Sequence, residues 1–205
     1  MNLFKDAVVV LLAFVVTGCA SAINTTNAEH HATSANEAGK AGDWTTARKQ
    51  WAQALVNAQL AGASAQQLAV INYEYGRALG VQCFWDEAEN YLLKAYELDF
   101  KTSGPEFMSL TELSRLKYDQ KQYDKAVGYY KIAIQAMEKA GAPEKAPSGF
   151  ADILDEYASA LQNEGKVTES TVFRSKADEL RRLNPGGHSI TDRTPYGTQC
   201  TSEKP

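Results

Sequence analysis

Trp44-Thr45-Thr46-Ala47-Arg48-Lys49-Gln50-Trp51-Ala52-Gln53-Ala54 decides the fold, because the chain repeats its frame. The positions that matter, Trp44, Ala47, Trp51 and Ala54, are spaced by three, four and three residues. The frame returns as Trp85, Ala88, Leu92 and Ala95, again as Tyr123, Ala126, Tyr130 and Ala133, and in degenerate form as Val167, Ser170, Arg174 and Ala177. Side chains at such spacing share one face of an α-helix. Twelve residues before Ala47, Ala88, Ala126 and Ser170 stands a further small residue: Ala35, Gly76, Ser114 and Ala158. Each copy therefore reads as two helices, A and B. Their small residues let the axes approach and their large ones fill the space beside them.

These positions resemble the tetratricopeptide repeat, which has a small residue in helix A, an aromatic opening helix B, and alanines three and ten residues after it. The resemblance covers residues 33–183 and implies an all-α, right-handed α-solenoid of about four helix-turn-helix repeats. The anchor positions 47, 88, 126 and 170 are separated by 41, 38 and 44 residues, more than the usual 34, a spacing similar to the kinesin-light-chain form of the repeat. Longer helices, and loops such as Ala61 to Gln67 and Gly141 to Ser148, are expected to absorb the excess. Gly42-Asp43, Cys83-Phe84, Lys121-Gln122 and Gly165-Lys166 mark turns within pairs, while Gly104-Pro105 and Pro143 through Pro147 mark breaks between units. Polar Asn36 and Glu37 in the first copy, and Arg174 in the fourth, suit the ends of a stack.

Ahead of the repeats, Met1 to Lys5 is a short basic start and Ala7 to Val16 an apolar run of ten residues. Ten residues make about 15 Å of helix, half of a ~30 Å hydrocarbon core. The run therefore reads as a secretory signal peptide, not as a span. Val16-Thr17-Gly18-Cys19 resembles the bacterial lipobox, which implies cleavage before Cys19, a lipid thioether on its thiol and acylation of the new amino end. Two or more acyl chains hold a protein on a membrane. Ala20, rather than Asp, after the cysteine implies the outer membrane, with the domain facing the periplasm. Residues 1–18 are thus expected to be removed, and residues 19–32, mostly Ala, Ser, Asn and Thr, to form a disordered acylated tether. Residues 184–205, opening on Asn184-Pro185-Gly186-Gly187, are expected to form an irregular tail.

The 205 residues carry 21 Lys and Arg against 25 Asp and Glu, a net charge of −4, without a basic stretch. Nucleic acid is not an expected partner. No nucleophile elbow, phosphate loop or paired-histidine helix motif is present, so neither an enzyme nor a cofactor is expected. His30 and His31 are adjacent but His188 is distant, which is no zinc spacing. Asp152, Asp155 and Glu156 read as a solvated helix face.

In the tetratricopeptide family the concave face is lined by helix A and binds an extended peptide or a partner helix. Transferred to this sequence, those positions are Tyr73, Arg77 and Gly80, then Thr111, Arg115 and Tyr118, then Asp155, Ser159 and Gln162. Arg77 and Arg115 fall at the same place in consecutive units. Either they hold a partner's carboxylate or acidic segment through charge-assisted bonds, or they pair with Glu74, Glu112, Asp152 or Asp155 of the chain itself. Once Cys19 carries lipid, Cys83 and Cys200 remain as an even pair in an oxidising compartment. They form either a disulfide or a buried free thiol and a mobile tail thiol. Fifteen residues from Pro185 reach ~50 Å, against a span of ~30 to 35 Å, so the bond is allowed. The expected function is a lipid-anchored envelope scaffold that binds a protein or peptide of the envelope, in assembly of a pilus, secretion system or cell-wall machine. The alternative is a regulatory adaptor that docks and tunes an envelope hydrolase. The oligomeric state is left open.

Overall fold

A computed structural model describes residues 3–187 and 193–200, with side chains from Ala20 onward. The side chain of Cys19, and His188, lie outside the described residues. Among the described residues, all regular structure is helical: α1 Leu3–Lys40, α2 Trp44–Ala61, α3 Ala65–Val81, α4 Trp85–Thr102, α5 Glu106–Asp119, α6 Tyr123–Lys139, α7 Ala142–Lys145, α8 Pro147–Asn163 and α9 Val167–Leu183. The most extensive packing joins α1 to α2, α3 to α4, α5 to α6 and α8 to α9. These four antiparallel pairs stack in chain order, with α2 on α3, α4 on α5 and α6 on α8. The chain is an α-solenoid of tetratricopeptide-like units.

The repeated residues explain this layout. Trp44, Trp85, Tyr123 and Val167 each open the second helix of a pair. Ala47, Ala54, Ala88, Ala95, Ala126, Ala133, Ser170 and Ala177 are buried, as are Ala35, Ser114 and Ala158 on the facing helices. Close approach is the reason for small residues there: a Cβ on Gly76 would stand 2.9 Å from Leu92 Cγ. In the fourth pair the Ser170 hydroxyl donates to the Ala158 carbonyl at 2.7 Å, so the serine satisfies itself across the contact.

The turn between paired helices is the same in all four units. Gly42, Cys83, Lys121 and Gly165 have φ of 76°, 68°, 60° and 91°, and each stands two residues before its second helix. Asp43, Phe84, Gln122 and Lys166 then donate their amides to Ala38, Leu79, Lys117 and Leu161 at 2.8 to 3.1 Å. This is the Schellman closure, which satisfies carbonyls that the helix end leaves bare. Between units the chain is tighter than the sequence suggests. The Ala61 to Gln67 stretch is not a loop: α3 begins at Ala65, behind a reciprocal cap between Ser64 and Gln67. The extra length lies in helices of 17 and 18 residues and, between α6 and α8, in the Gly141 to Ser148 stretch, which holds the short helix α7.

One expectation is overturned. Residues 20–32 are not a disordered tether but part of α1, which lies along α2. Ala28 and Ala35 are buried, Ala32 packs beside them, and the Ser21 hydroxyl donates to the Ala61 carbonyl at 3.0 Å. Alanine has the highest helix propensity, and alanines four and three residues apart make the same close-packing face as the other first helices. Thr25, Thr26 and Thr33 return their hydroxyls to carbonyls four residues back. A polar composition had suggested a tether, but small residues need little apolar area to dock.

Three apolar clusters follow the stack: one around Trp51 and Leu55, one around Leu92, Leu113 and Leu116, and one around Tyr130, Phe150 and Leu161. The middle cluster includes Tyr196, from outside the solenoid.

Candidate binding groove

The first helices α3, α5 and α8 bring one register of side chains to the concave face. Glu74, Glu112 and Glu156 are separated by 38 and 44 residues, the spacing of the repeat itself, and Arg77 and Arg115 follow the first two by three residues. They alternate in space as a ladder. Arg77 Nη1 donates to Glu74 at 2.9 Å and Arg77 Nε lies 3.9 Å from Glu112. Arg115 Nη1 donates to Glu112 at 2.7 Å, while its Nε and Nη2 donate to both oxygens of Glu156 at 2.8 Å. The Tyr130 hydroxyl closes the far end on Glu156 at 2.8 Å. Arg115 and Glu112 are 3% and 2% exposed, so their charges depend on one another rather than on water.

The groove is filled by the chain's own C-terminal segment. Arg193 Nη2 donates to Asp119 at 2.8 Å, with its guanidinium 5.7 Å from the Tyr118 ring centre. The Thr194 hydroxyl accepts from Arg77 Nε at 2.8 Å. Tyr196 is buried against Gly80 and Leu116, and its hydroxyl donates to Glu112 at 2.7 Å. The amides of Gly197 and Gln199 donate to the carbonyls of Gly80 and Val81, both at 3.1 Å, and the Gln199 side-chain amide reaches the Gly42 carbonyl. Gly80 and Val81 lie at the C-terminal end of α3, where carbonyls lack helical partners. Cys200 is joined to Cys83, with Cα atoms 5.0 Å apart.

Burial alone would push the Glu112 carboxyl up. Arg115 and Arg77, with the hydroxyls of Thr194 and Tyr196, outweigh it and hold the group below its usual range. Burial, then Glu112, drives the Tyr196 phenol well above its ordinary value, so it stays a donor. Burial also raises Asp119, and Arg193 offsets only part of that.

The arginines thus meet the chain's own glutamates, as one sequence reading held, and do not hold out free guanidinium groups to an acidic segment. Tyr73, Arg77, Gly80, Arg115 and Tyr118 gather around the C-terminal segment. Thr111 does not join them: its hydroxyl returns to the Phe107 carbonyl in its own helix. Asp155 is bound by Arg181 at 2.7 Å and borders a cavity of about 230 Å³ shared with Tyr118, Tyr130, Glu156, Ser159 and Arg193. Gln162 accepts from Arg174. Sequence reasoning missed Glu156, Thr194 and Tyr196. For Glu156 the repeat spacing was a usable signal; for Thr194 and Tyr196 there was none.

The fold and groove define the class as a tetratricopeptide-like solenoid. No family model matches the sequence, and no curated protein matches it. Among solved structures, BtubC (BKLC) from P. vanneervenii superposes with a TM-score of 0.73 at 16% identity, over 81% of this chain and 67% of that one. A putative kinesin light chain with nearly identical TPR-like repeats, from Podosopora anserina, superposes with a TM-score of 0.59 at 17% identity, over 73% and 72%.

Proposed function

We propose that the chain is a non-enzymatic, lipid-anchored scaffold of the bacterial envelope, on the outer membrane and facing the periplasm, whose concave groove holds a segment of another protein. The observation that carries the reading is the groove's occupant. The eight-residue segment Arg193–Cys200, turned at Tyr196 and Gly197, is seated there by side-chain and main-chain bonds together. A surface that fits one peptide segment at its ladder fits others of like chemistry. Assembly of a pilus, secretion system or cell-wall machine is the role that suits such a scaffold.

The test is cross-linking in intact cells. A photoreactive residue at exposed Asn36 or at Ser159 is compared with one at Lys125 or Lys139 on α6. A defined envelope protein captured from the first pair and not from the second supports the groove. Capture only from α6 refutes it.

A further inference from the structure

Arg193–Cys200 is held unlike the rest of the chain. Its backbone gives two bonds to the solenoid, and of its side chains only Thr194 and Tyr196 are buried, while Arg193, Pro195, Thr198, Gln199 and Cys200 are exposed. The two buried side chains stand on either side of Pro195 and the backbone then turns at Gly197, φ 71°, so two pockets read the segment ahead of the turn. The groove also continues past this segment. Beside Arg193 is the cavity of about 230 Å³, and beside Pro195 a cleft of about 460 Å³ is lined by Trp44, Trp51, Glu74 and Arg77. Charge sets the preference: three glutamates of the ladder face two arginines, and Asp119 stands at the rim. Such a groove favours donors, and the segment supplies them in the Arg193 guanidinium and the Tyr196 hydroxyl.

We infer that Arg193–Cys200 is a tethered occupant of a site for a short peptide bearing a basic residue and, three positions later, a tyrosine. Reductive opening of Cys83–Cys200 admits that peptide. The inference rests on reading the groove as a peptide-binding surface. With the disulfide closed, the segment cannot leave. Cys200 is exposed, so a dithiol reaches it. One thiolate attacks the Cys200 sulfur and expels the Cys83 thiolate; the second thiol closes on the mixed disulfide and releases Cys200. The dithiol leaves as a cyclic disulfide, and its two electrons and two protons end on the two cysteines. The freed segment then competes from an effective concentration on the order of millimolar, a level that a separate peptide can overcome.

The test uses the full chain and a fluorescent peptide, Arg-Thr-Pro-Tyr-Gly-Thr-Gln, matching residues 193–199. In anisotropy titrations the peptide is expected to bind the Tyr196→Ala/Cys200→Ser variant saturably, and the disulfide-bonded wild type at least tenfold more weakly. Peptides with Ala for Tyr, or Glu for Arg, are expected to lose at least tenfold. No binding to the folded variant, equal binding to the disulfide-bonded protein, or dimers formed by exchange of C-terminal segments overturns the inference. Should the variant not fold, hydrogen exchange on the wild type decides. On reduction with dithiothreitol, protection of the Gly197 and Gln199 amides falls at least tenfold more than that of the α5 amides; an equal or smaller fall overturns the inference. Peptide binding without groove cross-links in cells removes only the proposed function, and cross-links without peptide binding remove only this inference.

Discussion

Gly80→Ala puts the seating of Tyr196 to a quantitative test. Gly80 lies within α3, where alanine is favoured over glycine by about 1 kcal/mol, so on an isolated helix the change stabilises. Here the new Cβ would stand 2.5 Å and 2.6 Å from two atoms of the Tyr196 ring and 2.8 Å from Leu116 Cδ1. Leu116 presents the end of a flexible side chain, but the ring is fixed by its bond to Glu112 and by the disulfide four residues on. Overpacking of this kind costs about 1–3 kcal/mol. If the ring is expelled instead, its burial, about 1.5–3 kcal/mol, and its bond to a charged group, about 1.5–3 kcal/mol, are both lost. The cheaper response sets the cost, so with the helix-propensity gain set against the overpacking, Gly80→Ala in the disulfide-bonded protein should lower stability by up to about 2 kcal/mol. In a Tyr196→Ala background the obstacle is gone, and the same change should be neutral or stabilising by up to about 1 kcal/mol. Urea denaturation of the four proteins, at constant m-value, gives the coupling. An equal cost of Gly80→Ala in both backgrounds would show that Tyr196 does not occupy this seat.

Replacing Arg115 with Glu should cost about 3–5 kcal/mol by leaving Glu112 and Glu156 without their shared cation, with loss of helical circular dichroism on mild heating. Because Glu112 is held below its usual range, its contribution is present above the ordinary carboxylate value and is lost as pH falls through the lowered one. Glu112→Gln should therefore flatten the acid limb of a stability-against-pH curve. Lys121→Gly, at φ 60°, should stabilise by about 0.5–1 kcal/mol in urea. Cys200→Ser opens a closure spanning 117 residues and should cost up to about 4.7 kcal/mol, and alkylation of the unreduced, unfolded wild type should label neither Cys83 nor Cys200. Cys19→Ser should leave a precursor uncut before residue 19 and without lipid, read by mass spectrometry of the N-terminal peptide.

The solenoid was legible because each unit states its geometry locally. An aromatic or branched residue opens the second helix, alanines follow at helical spacing, and a residue two positions earlier takes the left-handed turn. Where the turn residue is Cys83 or Lys121 rather than glycine, the neighbouring frame still located it. The first helix was harder to read, since Ala28, Ala32 and Ala35 sit among Asn, Thr and His and bring little apolar area. The ladder was half legible: Arg77 and Arg115 stood out, but Glu156 was read as part of a solvated face although it continues the register of Glu74 and Glu112. The C-terminal segment was illegible beyond its cysteine. Its contacts are single residues reaching 74 to 157 positions back along the chain, and no local period records them.

The bond from Ser21 to the end of α2 bears on how the protein would stand at a lipid surface. If Cys19 carries acyl chains, the second residue after it is already fastened to the Ala61 carbonyl, which leaves almost no slack between bilayer and solenoid. The domain would then ride at a set height and tilt, with the Ala61 end of the first pair against the headgroups. Ile23 and Leu60, 61% and 66% exposed, would meet the interface there, and the groove would be carried at a fixed distance from the membrane rather than at the end of a swinging leash.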